Sequence, residues 1–398
     1  MTPSAVPESS GSTILVVDDN EMNRDILSRR LRKGGHRVEV AEHGRRALEM
    51  MAEAPFDLVM LDIMMPEMNG YEVLERLKSD PELRHVPVIM ITAVDDQESI
   101  VRCIELGAED HMPKPFNPAL LHARVASSLA KKRLHDREQL YAASLARELD
   151  IGRQIQQGFL PEHLPVSAGW HLDACFEPAK QVAGDFYDAF VLPGDKIALV
   201  VADVCDKGVG AALFMALFRS LLRALAEQRF TVASPSDSVA ASLLDVVTAT
   251  NDYIGRTHAS ANMFATIFMG VLDPASGHLT YVNGGHEAPF IFTADGELRA
   301  RLEPTGPAVG MMPDLMFRVA EAVLAPGELL LAYTDGVLDA RAASGELFGE
   351  QRLLDCARSS PSALLQEIQH SLASWVAGEP AFDDITMLSV RHARLSNG

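Results

Sequence analysis

Cysteine is scarce in this chain: Cys103, Cys175, Cys205 and Cys356 are the four in 398 residues, and no two form a CxxC pair. Such spacing excludes a disulfide framework and a zinc ribbon, and predicts reduced thiols in a cytosolic protein. Positive charge is also short. With 35 Lys and Arg against 55 Asp and Glu, the formal net charge is -20 and the pI about 5.0. That balance argues against sequence-independent binding to DNA or to an anionic membrane. A basic helix-turn-helix is missing too, which disfavours a DNA-binding output. No apolar run approaches the ~18–20 residues that span a bilayer, and the first ten residues lack the basic start and apolar stretch of a secretory signal. The expectation is a cytoplasmic protein with neither nucleic acid nor membrane as partner.

What is present is an ordinary globular composition, 47% hydrophobic and 23% charged. The length predicts two or three domains. Residues 1–12 read as a disordered leader. Ile14–Val17 is then a continuous apolar run, as in a strand buried on both faces of a parallel sheet. It ends in Asp18-Asp19-Asn20 and leads into a helical pattern that Gly34-Gly35 stop. Strands follow at 38–40, 58–61, 88–91 and 110–112, with helices at 45–51, 71–78 and 98–106. This alternation predicts an α/β doubly wound domain with a parallel five-stranded sheet, whose ligands sit at the carboxyl ends of the strands.

Those ends carry Asp18, Asp19, Asp62, Thr92 and Lys114. Taken singly, each acid reads as a solvated loop carboxylate. Together, three acids make a hard oxygen site suited to Mg2+, and a hydroxyl and an ammonium beside them can hold a phosphoryl group. Asp62 is then the nucleophile, since carboxylates form aspartyl phosphates. Val17-Asp18-Asp19, Asp62-Ile63-Met64-Met65-Pro66 with Gly70, Ile91-Thr92-Ala93 and Met112-Pro113-Lys114-Pro115-Phe116 resemble the receiver domain of bacterial response regulators. The resemblance covers residues 13–130. It implies that Asp62 accepts phosphate from a sensor histidine kinase or phosphotransfer protein. Asp18 and Asp19 would hold Mg2+ with Asp62, Thr92 would follow the phosphoryl group, and Lys114 would pair with it. His111 stands where the family has Tyr or Phe as a rotating switch.

From residue 117 to 160 the chain is rich in Ala, Leu, Arg, Lys and Glu, which predicts a long helix. Leu134, Tyr141, Leu145, Ile155 and Phe159 share a heptad frame that Glu138, Glu148 and Gly152 interrupt. The segment 131–160 is therefore either a passive spacer or a dimerising, coiled-coil-like linker, ended by Pro161 and Pro165.

Residues 161–393 form a further domain. Apolar segments at 172–176, 196–201, 265–272, 279–282, 289–292, 329–333 and 385–390 read as strands, and long helical patterns occupy 211–228 and 236–257. Strands framing two long helices predict an α+β sandwich. Four acids stand at strand ends: Asp185, Asp203, Asp335, and Asp383 or Asp384. Alone, Asp335-Gly336 reads as a turn, and Asp383-Asp384 as a helix cap or solvated acids. Convergent carboxylates without histidine or cysteine point to Mg2+ or Mn2+. Two such ions about 3.5–4 Å apart can activate a water and clamp a phosphoryl oxygen for in-line attack. His286 is read as a core or loop histidine rather than a general acid.

Gly184-Asp185-Phe186-Tyr187-Asp188, Asp203-Val204-Cys205-Asp206-Lys207-Gly208, Asn283-Gly284-Gly285-His286, Thr334-Asp335-Gly336 and Asp383-Asp384-Ile385-Thr386, with Arg153–Pro161 before them, resemble the SpoIIE/RsbU-type branch of metal-dependent (PPM) serine/threonine protein phosphatases. The resemblance implies a PPM-type β-sandwich flanked by helices. Two Mn2+ or Mg2+ ions would be held by Asp185, Asp203, the carbonyl of Val204, Asp335 and Asp383, with Asp384 the competing choice at the last position. It also implies a phosphoserine substrate on an anti-sigma-factor antagonist. The combined expectation is a response regulator, homodimeric through its linker helix, that controls a phosphatase. The alternative is a catalytically inactive, receiver-controlled adaptor that sequesters a sigma-pathway protein.

Overall fold

The computed structural model describes residues 11–93, 97–232, 238–379 and 381–393. Two compact units are present, Met1–Leu145 and Ala146–Gly398. Residues 1–10 of the expected leader, and 236–237 of an expected helix start, lie outside the described residues.

In the first unit, strands β1 (Thr13–Val17), β2 (Arg37–Ala41), β3 (Leu58–Asp62), β4 (Val88–Thr92) and β5 (Asp110–Pro113) alternate with helices α1 (Glu21–Lys33), α2 (Gly44–Glu53), α3 (Gly70–Ser79), α4 (Gln97–Glu105) and α5 (Pro118–Gln157). The sheet is parallel in the order β2-β1-β3-β4-β5. Side chains alternate across a strand, so an uninterrupted apolar run feeds both faces. Ile14, Val16, Leu58 and Met60 pack with Leu27 and Leu31 of α1 and Leu121 and Val125 of α5. Leu15, Val17, Val59 and Leu61 pack on the other side with Met51, Leu74, Leu77 and Cys103. The order reverses between β1 and β3, and ligands of such sheets sit at that point, outside the carboxyl ends. Asp18 follows β1 and Asp62 ends β3.

α5 is one helix of 40 residues, and the division between the two units falls inside it. Leu121, Val125 and Leu129 are buried, whereas Leu134, Tyr141, Leu145 and Ile155 are 47–73% exposed.

The second unit is a sandwich of two antiparallel five-stranded sheets. It contains β6 (Trp170–Glu177), β7 (Phe186–Leu192), β8 (Lys196–Val204), α6 (Val209–Val232), α7 (Val239–Thr257), β9 (Ala265–Asp273), β10 (His278–Gly284), β11 (Phe290–Phe292), β12 (Leu298–Arg301), β13 (Ala320–Val323), β14 (Leu329–Tyr333), α8 (Gly349–Ser359), α9 (Leu364–Val376) and β15 (Ile385–His392). The sheet orders are β13-β10-β9-β8-β7 and β12-β11-β14-β15-β6. Leu199, Val201 and Phe268 of one sheet meet Ile291, Leu330 and Leu388 of the other in the central layer. α6 and α7 cover the outer face of the first sheet, and α8 and α9 that of the second.

Helix α6 corrects one expectation. By length and composition it is apolar enough to cross a membrane, because Arg219 and Arg223 interrupt its run without spoiling a window of that length. Here Ala211, Met215, Phe218, Leu222, Ala226 and Phe230 recur at helical spacing and form one buried stripe against the sheet.

Candidate functional site

The turn after β1 is held from within. Asp18 is fully buried, and its carboxylate accepts the backbone N–H of Asn20 at 2.8 Å and the side-chain amide of Asn23 at 3.0 Å. The Arg24 guanidinium donates to the carbonyls of Asp18 at 2.7 Å and Asp19 at 2.9 Å. Across the switch point lies Asp62, 3% exposed. One carboxylate oxygen each from Asp18, Asp19 and Asp62 lies within 4.8 Å of the others. Lys114 Nζ stands 2.8 Å from Asp62 Oδ2 and 3.1 Å from Asp18 Oδ2. Burial pushes the Asp62 carboxyl up and Asp18 adds to it, while the Lys114 hydrogen bond pulls it down. The Thr92 hydroxyl is buried without a partner. A buried donor left unpaired costs free energy unless something arrives to accept from it. The acid trio fits a hard cation, and the Thr92–Lys114 pair fits a phosphoryl group. His111 is half-buried on β5, its ring 3.6 Å from Asp110.

In the sandwich, Asp185 precedes β7 and Asp203 lies near the end of β8, in one sheet. Asp335 follows β14, and Asp383-Asp384 precede β15, in the facing sheet. Their electrostatics run as a chain of neighbours. Burial, then Asp203, drives the Asp185 carboxyl far above the usual range, against the Thr334 hydroxyl that donates to it at 2.7 Å. Burial, then Asp335, raises Asp203 to about 7. Burial, then Asp383, raises Asp335. Carboxylates raised by burial and by neighbouring acids are under-compensated, which is the donor chemistry a pair of divalent cations fits. Among the described residues only the Asp18–Asp19–Asp62 trio brings three such atoms within 4.8 Å, so the second set is the more open one.

Two glycines let these loops meet. A Cβ on Gly184 would stand 2.8 Å from the Val204 carbonyl oxygen, and one on Gly336 only 1.9 Å from that of Asp384. Asp383 and Asp384 then divide the work. Asp384 accepts the N–H of Ala179 at 2.8 Å and of Gly184 at 2.9 Å, so it anchors the loop that carries Asp185. Asp383 meets Lys207 Nζ at 2.7 Å, and that lysine also donates to the carbonyl of Phe382 at 2.9 Å. A groove of about 490 Å³ opens beside Asp383, lined also by Arg341, Phe382, Gln369 and His370.

His286 is buried, its Nδ1 2.8 Å from the Thr266 hydroxyl, and burial lowers its pKa to about 4. It is a neutral core histidine, as its sequence context predicts. Two other residues were not singled out by the sequence reading. The Gln156 amide, on the last turn of α5, donates to the Ala183 carbonyl at 2.7 Å and accepts the Ala183 N–H at 3.0 Å, two residues from Asp185. Asp188, buried in β7, pairs with Arg219 at 2.8 Å and Arg223 at 3.1 Å. The signal for it was two arginines four apart on an otherwise apolar helix.

The family profile for Stage II sporulation protein E (SpoIIE) matches residues 193–393, just over half of the chain. The chain belongs to the SpoIIE family. The matched stretch contains Asp203, Asp335, Asp383 and Asp384, while Asp185 lies before it. The profile for the response regulator receiver domain matches residues 14–126. Two-component response regulator ORR3 of Oryza sativa is 37% identical over 120 residues, 30% of this chain and 91% of that protein. Protein IcfG of Synechocystis is 47% identical over 261 residues, 61% of this chain, which spans only 41% of IcfG. Among solved structures, the SiaA-PP2C domain of Pseudomonas aeruginosa is 28% identical with a TM-score of 0.51, covering 63% of this chain and 98% of that domain. This SpoIIE chain thus joins a receiver to the sandwich of the PP2C-type domain.

Proposed function

We propose that this chain is a two-component response regulator whose SpoIIE domain is a metal-dependent protein serine/threonine phosphatase under receiver control. The observation that carries the reading is the placement of Asp185, Asp203, Asp335 and Asp383 at strand ends of the two facing sheets, with burial and neighbouring acids raising the first three. Asp62 is the phosphoacceptor, with a histidine kinase or phosphotransfer protein as donor and Mg2+ held by Asp18, Asp19 and Asp62. In the sandwich, Asp185, Asp203, the Val204 carbonyl, Asp335 and Asp383 hold two Mn2+ or Mg2+ ions, and Asp384 positions the Asp185 loop. The ions supply Lewis acidity to a phosphoryl oxygen and an attacking water. Thr334 fixes the orientation of Asp185. Lys207 tethers Asp383 and leaves the groove beside it open to the polypeptide that carries the phosphoserine. An anti-sigma-factor antagonist is the proposed substrate, and the exposed stripe of α5 the proposed homodimer contact.

The test is p-nitrophenyl phosphate hydrolysis by the full chain with Mn2+, with and without beryllofluoride as a mimic of phosphorylated Asp62. Turnover that depends on metal, changes with beryllofluoride and vanishes in Asp203→Ala is expected. Turnover indifferent to beryllofluoride would retain the enzyme and remove its control by the receiver. No turnover on this ester or on a phosphoserine protein, with metal bound, would favour the adaptor.

A further inference from the structure

The groove beside Asp383 holds a cation that the reading above leaves unused. Arg341 lines it and is exposed, and its guanidinium carbon lies 3.8 Å from the centre of the Phe382 ring. The backbone around it is fixed by a short hairpin. Arg341 bridges Leu347, the Phe348 N–H donates to the Ala340 carbonyl at 2.8 Å, and the Ala342 N–H donates to the Glu346 carbonyl at 3.0 Å. Phe382 immediately precedes Asp383, so the stack ties Arg341 to the strand end that carries a candidate metal ligand.

The same ring draws a second cation, Lys207, at 4.8 Å. Asp383 meets the charge of Lys207 at 2.7 Å, but among the described residues no carboxylate pairs with Arg341. Other arginines of this unit do have acid partners: Arg301 has Glu350, Arg352 has Glu346 and Arg358 has Glu297. Stacking covers the face of a guanidinium and leaves the N–H donors at its edge free, in the geometry that takes a carboxylate or phosphate through two oxygens. A side chain already held by its neighbours also loses less freedom on binding. Arg341 is the one Lys or Arg in the lining of the groove. The lining acids besides Asp383 are Glu379 and Glu177, which accepts from the Gln369 amide at 2.8 Å. They disfavour an anion elsewhere in the groove and leave Arg341 as its place.

We propose that Arg341 is a specificity-determining residue that pairs with an anion of the phosphoserine polypeptide, either the phosphoryl group or a carboxylate flanking it. The inference rests on the phosphatase reading above. The test is steady-state hydrolysis by the full chain, with Mn2+, of a phosphoserine peptide flanked by alanines and of the same peptide flanked by glutamates. Arg341→Met keeps an aliphatic stem over Phe382 and removes the donors. It should raise KM for the glutamate peptide about tenfold, as losing a charged hydrogen bond does, with kcat changing far less. Arg341→Lys should recover part of that loss. A rise shared by both peptides assigns the anion to the phosphoryl group, and a rise confined to the glutamate peptide assigns it to the flanking carboxylate. KM equal to the parent's on both peptides, or a fall in kcat alone, would overturn the proposal. So would a lowered melting midpoint with equal losses in the Met and Lys variants, which would make Arg341 structural. If the parent hydrolyses neither peptide, the phosphatase reading fails, and anisotropy titration of the labelled glutamate peptide with Mn2+ decides this inference alone. Binding about tenfold weaker in Arg341→Met would support it, and equal or absent binding would overturn it.

Discussion

At the scale of single residues, two adjacent acids show how burial and partners assign different tasks to the same side chain. Asp384 has both oxygens engaged by backbone N–H groups of the 179–184 loop, whereas Asp383 keeps an ion pair and faces Asp335. Groups that orient metal ligands typically contribute 10–100-fold in affinity. Asp384→Asn is therefore expected to weaken Mn2+ binding by about that factor while keeping some turnover at saturating metal, measured by metal titration of activity. Asp203 contributes to the pH dependence alongside Asp185 and Asp335. Its carboxyl rises from 3.8 to about 7 on folding, so the folded chain binds that proton more tightly than the unfolded one. The stabilisation is complete below the unfolded pKa and is lost as pH climbs from there through about 7. With a chelator present, the melting midpoint should fall between pH 5 and 8. Millimolar Mn2+ should restore it by mass action, and Asp203→Asn should flatten the slope. The setting of these acids at strand ends was legible. The split between Asp383 and Asp384 was not, because it depends on backbone donors some 200 residues away.

At the scale of elements, most strands were legible, and the three that were not have identifiable reasons. β8, β9 and β14 read correctly, while β7, β12 and β13 went unread. β7 is entered through Gly184-Asp185 and carries Asp188 in its middle, which suggests a turn until Arg219 and Arg223 are seen to neutralise that acid. β12 and β13 are four-residue edge strands with alternating exposure, too short for periodicity to register. α8 and α9 were missed as well, though each buries a stripe at helical spacing. The buried Asp188 makes β7 depend on α6. Removing one partner of a buried ion pair costs about 3–5 kcal/mol when the rest stays uncompensated. Both arginines retain partial exposure, so Asp188→Ala should cost about 3 kcal/mol, the lower end of that range. Chemical denaturation followed by tryptophan fluorescence checks it, since Trp170 and Trp375 both lie in the sandwich.

At the scale of the whole molecule, the helical stretch 117–160 and the two sheet types were legible, because βα alternation and runs of successive strands differ over a hundred residues or more. The exposed positions Leu134, Tyr141, Leu145 and Ile155 leave an apolar stripe on α5. For the homodimer proposed above, sedimentation should find a dimer that Tyr141→Glu with Leu145→Glu turns into a monomer; a variant that stays dimeric would place the contact elsewhere, and a parent chain that is monomeric would remove the proposal. The pair of bonds between Gln156 and Ala183 joins the end of that helix to the loop that carries Asp185. Both partners are uncharged amides. Ion pairs fade as the Debye length contracts with added salt, and carboxylates and imidazoles lose their roles as acidity changes, but a reciprocal amide contact does neither. The contact between the end of the helix and the loop that carries Asp185 therefore does not itself depend on ionic strength or on the protonation of a side chain.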